Sequence, residues 1–399
     1  MPKVTGISIG RGEARVVEVE GTSRRFKVVQ AFVLPLEAAE EGPPGPAHEA
    51  AVHEAGRALN QALKDRRIAR DQAALALPGR DCLVRNAQVS LKGEEAIRKV
   101  LKFEAESFFQ SADIDQVVVD FLPVRETEEG TELLVAAAPK ASLRELMEKA
   151  RLAGVDPVLV DLDAVALFRC AQALGFIDPA ADQILLDLGL HSCRLLVARQ
   201  GKLAGLRSLR FGLASFGLAS EGEEPEPEAA GEARETFAAR LGREVARFLA
   251  GYGPGFQAGA VLVCGPGGGM HAVREELMAR LGLEVVLMDP LSRAEHGLPD
   301  KDAARLGPCL LPAMGVALEL LGVAQKGLDF RQEEFTFSRR FERIRFPLAV
   351  ALMLLAFLFI VLYSRVNVER RIYEQFYGSP GDTKALLAPQ VWKDRKSVV

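Results

Sequence analysis

The chain is poor in the residues that staple, chelate or steer nucleic acid. Its five cysteines, Cys82, Cys170, Cys193, Cys264 and Cys309, stand singly among apolar neighbours with no Cys-x-x-Cys pair. That pattern excludes a disulfide framework or zinc ribbon and predicts buried thiols in a reducing compartment. The five histidines, His48, His53, His191, His271 and His296, are equally scattered. His48 and His53 share a helix-like segment but lack further ligands, so no metal centre is expected from them. A net charge of −4, with no run of Lys or Arg interleaved with aromatics in the soluble part, excludes a nucleic-acid surface. No catalytic set emerges either. Ser215 and Ser220 lack a nucleophile-elbow context, and Asp161 and Asp163 lie in VLVDLDAVAL, where strand alternation and helix capping explain them. Residues 1–30 contain no apolar stretch behind a basic start, so no signal peptide is predicted.

What is present is an ordinary globular composition, 49% hydrophobic and 26% charged over 399 residues, and one greasy segment. The run Leu348 to Tyr363 has no charge. With Phe346 and Pro347 it reaches about 27 Å as a helix, close to the roughly 30 Å hydrocarbon core of a bilayer. The reading is a single transmembrane helix over 346–363. Arg339, Arg340, Arg343 and Arg345 precede it and Arg365, Arg370 and Arg371 follow, a weak asymmetry; the missing export signal decides for a cytoplasmic N-terminal part and an inner-membrane location. The basic linker 336–345 is read either as a contact to anionic membrane lipid, at about 1 kcal/mol per charge, or as a solvated helix end. Residues 364–399 are expected to form a short periplasmic tail or a truncated periplasmic domain, with helix continuing over 366–377, since so few residues seldom fold alone.

Ahead of the span, a pattern occurs twice. Val4 to Ile9, Arg15 to Glu20 and Phe26 to Leu34 read as a three-stranded meander, and a Pro/Gly stretch at 42–46 leads to a helix over 47–64 and a strand at Ala73 to Leu77. Gln183 to Leu188, Ser192 to Ala198 and Leu203 to Phe211 repeat the meander, followed by a helix over 233–250 and a strand at 260–264. The spacing suits two duplicated lobes. Between them, Leu91 to Gln110 reads as a helix, Val117 to Leu122 and Thr131 to Ala138 as strands, and Ser142-Leu-Arg-Glu145 as a capping box opening a helix that ends at Gly154. The predicted fold is therefore α/β: an actin-like two-lobed body with an inserted α+β subdomain. Lobe I begins at 1–86, the insert is 87–157, and lobe II with the return to lobe I is 158–335. Glu221 to Glu228, rich in Glu and Pro, reads as a solvated loop.

Paired hairpins in such a body grip nucleotide phosphates through turn amides, and an aspartate positions the metal. The candidate residues are Gly10 and Gly12 in the first hairpin and Asp187 and Gly189 in the second, with Asp187 the candidate metal ligand. In the first hairpin Ser8 stands where a carboxylate is wanted. Gly265, Gly267, Gly268 and Gly269 open a strand into a helix, a geometry that admits a phosphate. Met270 occupies the place of the third glycine of a dinucleotide fingerprint, and Pro266 removes an amide, so a turn without ligand is the alternative. The cofactor is left open between ATP with Mg²⁺ and none.

Taken in order, LALPGRDCLVRNAQVSL, KVLKFEAESFF, VVVDFLPV, AAAPKASLRELMEKARLAGVDPVLVDLDAVALFR, LLDLGLHSCRLLVARQGKL, VLVCGPGGGMHAVREELMARLGLEVVLMDPL and LGPCLLPAMGVALELLG resemble the PilM family of type IV pilus assembly proteins. They also resemble the cytoplasmic part of the type II secretion protein GspL. The passage GLDFRQEEFTFSRRFERIRFPLAVALMLLAF is GspL-like in running into a membrane helix. The resemblance implies a non-enzymatic scaffold that docks a secretion or pilus assembly ATPase and pairs with PilN/PilO-like or GspM-like inner-membrane proteins. A membrane-anchored actin-like ATPase is the second reading, and a tethered filament protein of the FtsA type the third.

Overall fold

Period-two alternation at the start of the chain produces three antiparallel strands, β1 (Lys3–Ile9), β2 (Glu13–Gly21) and β3 (Phe26–Pro35). The computed structural model describes residues 2–37, 45–80, 82–110, 112–218, 227–253, 255–337 and 340–377. After α1 (Pro46–Asp65), β4 (Ala73–Leu77) lies parallel to β1 with all of its residues buried, the mark of a central strand covered on both faces.

The chain then leaves this sheet. β5 (Leu83–Val89), α2 (Glu94–Phe108), β6 (Val117–Thr127), β7 (Gly130–Pro139) and α3 (Lys140–Leu152) form a separate antiparallel sheet of order β5-β7-β6 with two helices. It has its own core, including Ile97, Leu101, Phe121, Leu133 and Val135. β8 (Leu159–Leu162) returns beside β4, and α4 (Asp163–Ala173) follows.

The second copy comprises β9 (Asp182–Leu188), β10 (Cys193–Arg199), β11 (Lys202–Leu209), α5 (Pro227–Ala250), β12 (Ala258–Cys264), α6 (His271–Leu281) and β13 (Glu284–Leu287). β14 (Glu295–His296) then edges the first sheet, and α7 (Asp300–Leu306) and α8 (Leu311–Leu321) complete this unit. The sheets run β14-β3-β2-β1-β4-β8 and β11-β10-β9-β12-β13. Apart from the added β14 the two orders are equivalent, with the antiparallel meander outside and three parallel strands inside. The duplication expected from the sequence is present, and the fold is actin-like.

α8 is apolar throughout except for Glu319, and Leu311 through Leu318 are all buried. It packs on β1 and α4, where glycines permit the approach: a side chain at Gly6 would strike the Ala313 carbonyl, and one at Gly315 would strike that of Ala166. A helix this apolar is thus a core helix here, in contrast with the C-terminal one.

Two readings need correction. The strand β5 was not expected, because LVRNAQV alternates poorly and is mostly half-exposed, and it carries the inserted sheet back to Leu83. Ser142 does not cap α3. The helix starts at Lys140 behind Pro139, so Ser142 and Glu145 lie inside it. The run 219–226, residues 38–44, Arg339 and the tail from 378 lie outside the described residues, as do the side chains of Arg340, Arg343 and Arg345.

The body Met1–Thr336 and the segment Phe337–Val399 are separate units. In the second, α9 (Arg340–Tyr377) contains Leu348–Ile372, with mean hydropathy 2.4 and none of that window buried. It is long and apolar enough to cross a membrane.

Candidate functional site

The turns of the two meanders meet at a cleft of about 450 Å³. Ser8, Gly10, Arg11, Gly12 and Arg15 come from the β1–β2 hairpin, and Gly189, His191, Ser192 and Arg194 from the β9–β10 hairpin. α1 and α3 supply a wall that includes His48, whose Nε2 lies 3.0 Å from Glu145 Oε2. Gly12, at φ +84°, holds a left-handed turn that a side chain would strain.

The antiparallel ladders place Ser8 opposite Arg15 and Asp187 opposite Arg194. One and the same displacement along the chain carries Ser8 onto Asp187, Gly10 onto Gly189 and Arg15 onto Arg194. The two arginines are therefore equivalent positions of the duplication, both nearly buried and both lining the cleft. They are partnered differently. Arg15 pairs with Glu13. Arg194 donates through Nη1 to Asp187 Oδ2 and through Nη2 to Asp163 Oδ2. Asp163 Oδ1 accepts from the Gly79 amide at 3.0 Å, so this carboxylate joins the end of β4, the start of α4 and the second sheet.

The electrostatics follow from burial. Desolvation raises the Asp163 carboxyl above its ordinary value, against the opposing pull of Arg194. Burial also works to lower the Arg194 pKa, but Asp163 and Asp187 together drive it up, so the guanidinium is permanently charged. Buried and beside Asp187, the Cys193 and Cys264 thiols are pushed well up and are inert.

Of the residues singled out in the sequence, Gly10, Gly12 and Gly189 line the cleft, whereas Asp187 lies beneath it, 1% exposed. Gly265, at φ +81°, packs against Asp187 Oδ1, an oxygen with no hydrogen-bonding partner among the described residues. Gly267, Gly268 and Gly269 do not line the cleft. The amides of Gly265, Gly267 and Gly268 donate to Pro308, Leu188 and Gly265 carbonyls at 2.8, 3.1 and 3.0 Å, which closes the turn on itself. Asp163, Arg15 and Arg194 were missed. The signal for the arginines was the repeat itself, a charged residue at the same hairpin position in both copies. Nothing local distinguishes Asp163 from a helix-capping residue.

A second set of buried polar groups fastens a strap over residues 327–334, irregular backbone that ends in a 3₁₀ turn and leads toward α9. Leu328 N donates to Asp161 Oδ1 at 3.0 Å, Asp329 N to Asp120 Oδ2 at 2.8 Å, and Phe330 N to the Val160 carbonyl at 2.8 Å. Arg331 Nη2 donates to Asp156 at 3.2 Å. Glu333 pairs with Lys140 at 2.7 Å and Lys102 at 2.8 Å, and Glu334 with Arg144 at 2.7 Å. The strap thus binds both β8 of the first sheet and the inserted subdomain. Asp161 and Asp120 hold buried backbone amides here, a role beyond strand alternation.

Residues 6–217 match the family model of the type IV pilus assembly protein PilM. The chain belongs to the PilM family. Among solved structures it is similar to the PilM-PilN type IV pilus biogenesis complex, with TM-score 0.66 and 22% identity over 80% of this chain and 98% of that one. It is also similar to the ethanolamine utilization protein EutJ from Carboxydothermus hydrogenoformans (TM-score 0.45, 16% identity, 80% and 90% coverage). A third is the cytoplasmic domain of EpsL, an inner-membrane component of the type II secretion system of Vibrio cholerae (TM-score 0.42, 9% identity, 84% and 100% coverage). No curated protein matches in sequence. The family match covers residues 6–217, and the structural likeness to the PilM-PilN complex covers 80% of the chain.

Proposed function

We propose that this protein is an inner-membrane platform component of a type IV pilus or type II secretion machine, a PilM-type scaffold that carries its own membrane anchor. The observation that carries the reading is the succession, in one chain, of a PilM-family body and the apolar helix Leu348–Ile372. The body is the cytoplasmic part. It docks an assembly ATPase and a PilN-like membrane protein, the kind of partner present in the PilM-PilN complex to which it is similar. Tethering replaces a bimolecular encounter with one at effective concentrations of about millimolar, so a weak contact of the body with another platform protein stays occupied. The strap is suited to such a role, since it links the inserted subdomain to the segment entering the membrane.

Solubilisation of the full chain from its native membrane in mild detergent, followed by affinity capture, tests this. Co-capture of an assembly ATPase and a PilN-like protein is the expected result. Recovery of the chain in the soluble fraction, or capture without either partner, would overturn it.

A further inference from the structure

The cleft's carboxylates already have a cation. ATP with Mg²⁺ is one of the two states left open for this cleft, and Mg²⁺ in phosphate sites is held by one or two carboxylates together with several waters in near-octahedral geometry. Of the carboxylates lining the cleft, Glu13 is paired with Arg15, Glu145 with His48 and Lys149, and Glu37 is exposed; the buried carboxylates beneath it are Asp187 and Asp163, each 1% exposed. One oxygen of each is taken by a separate nitrogen of the Arg194 guanidinium. The second oxygen of Asp163 is taken by the Gly79 amide, and that of Asp187 is turned against Gly265. Across the cleft the equivalent carboxylate is replaced by Ser8, and the equivalent arginine, Arg15, adds a second positive charge close enough to bear on both Asp187 and Arg194. Seating a hydrated divalent ion here requires Arg194 to leave two buried partners and brings the ion into the field of Arg15. The donor set does not fit the metal.

We infer that Arg194 is the resident cation of this cleft: its guanidinium supplies the positive charge that elsewhere comes from a divalent ion, and joins the two sheets without metal or nucleotide. Asp187 and Arg194 belong to the second sheet, while Asp163 opens α4 at the end of β8 in the first. The bidentate fork of arginine suits this bridging, and a lysine, with a single ammonium, does not. The lobes of this PilM-family chain are therefore latched constitutively. This holds whichever machine the protein serves.

The test uses the full chain in detergent with Mn²⁺ as probe, read by electron paramagnetic resonance and by thermal unfolding. Wild type is expected to bind no Mn²⁺, with or without ATP, and its unfolding midpoint is expected to be the same in EDTA and in Mg²⁺. Arg194→Ala leaves two buried carboxylates facing one another. It is expected to unfold at lower temperature, to bind one equivalent of Mn²⁺, to regain midpoint with the metal, and to lose that rescue when Asp187→Asn is added. Arg194→Lys is expected to unfold between the two. Bound Mn²⁺ or a Mg²⁺-dependent midpoint in wild type would overturn the inference, and those readings stand even if the alanine variant does not fold. An unchanged midpoint in Arg194→Ala would overturn it as well.

Discussion

Asp161 and Glu319 present carboxylate oxygens to one point, the place a side chain would take at Gly327. Asp161 Oδ2 and Glu319 Oε2 both crowd that position, and the two carboxyls interact directly with one another. Their other oxygens accept from Leu328 N and Gly327 N at 3.0 and 2.8 Å. Burial pushes the Glu319 carboxyl up to about 7 from 4.5, and burial and Glu319 raise Asp161 as well. The pair therefore holds a proton in the folded protein that it gives up on unfolding.

The sign of the pH effect follows. A carboxyl with a raised folded pKa stabilises fully below its unfolded value and loses that contribution as pH rises to its folded value. Stability should fall by about 2 to 3 kcal/mol between pH 4.5 and 7 on this account and then level off. Glu319→Gln should flatten the falling limb. Urea midpoints from pH 4.5 to 8 measure it, and a limb that persists in the variant would place the proton elsewhere.

Asp120 pins the strap to the inserted subdomain through Asp329 N and holds Arg98 at 2.8 Å. Asp120→Ala should cost about 1 to 3 kcal/mol by leaving a buried amide unsatisfied. Hydrogen exchange should quicken at 328–331 and stay unchanged in β9 and β10. Uniform quickening across both sheets would show that the strap has no independent hold.

The second lobe is closed by Phe211, Phe216 and Phe237, packed edge-to-face with centroids 5.4 to 6.2 Å apart. Phe237 is fully buried, and Phe237→Ala should cost about 3 to 5 kcal/mol in transfer and cavity terms. Denaturant titration followed by circular dichroism reads the loss directly.

Gly6→Ala tests the seat of α8. A methyl there meets the Ala313 carbonyl, backbone that cannot swing aside, and overpacking of this kind costs about 1 to 3 kcal/mol. Calorimetry of the variant should show a lower midpoint with the fold retained.

Much of this architecture was legible because its signals are local. The meanders at Lys3–Pro35 and Asp182–Leu209, the buried run Ala73–Leu77 and the long apolar helix announce themselves by period and length. β5 was not legible, since Arg85, Asn86 and Gln88 interrupt its apolar residues and leave no clean alternation. The cleft was legible in half. Glycines between two strand patterns mark tight turns, so Gly10, Gly12 and Gly189 could be placed. The meaning of Asp163 depends on a long-range partner, Arg194, and no pattern within either segment contains the other. Asp187 stands near the end of β9, as its segment implied, yet what it faces is decided by the neighbouring strand.

The strap also fixes how this molecule would carry a load. Tension drawn along the chain from Phe337 meets Phe335, buried in the main core, and then Glu334 and Glu333, whose partners Lys102, Lys140 and Arg144 lie on the two helices of the insert. Only after those pairs yield does it reach the amide hydrogen bonds to Asp120, Val160 and Asp161. Exposed ion pairs of this kind give about 1 kcal/mol or less each, so under load the pairs to the insert should part more readily than the buried amide hydrogen bonds behind them.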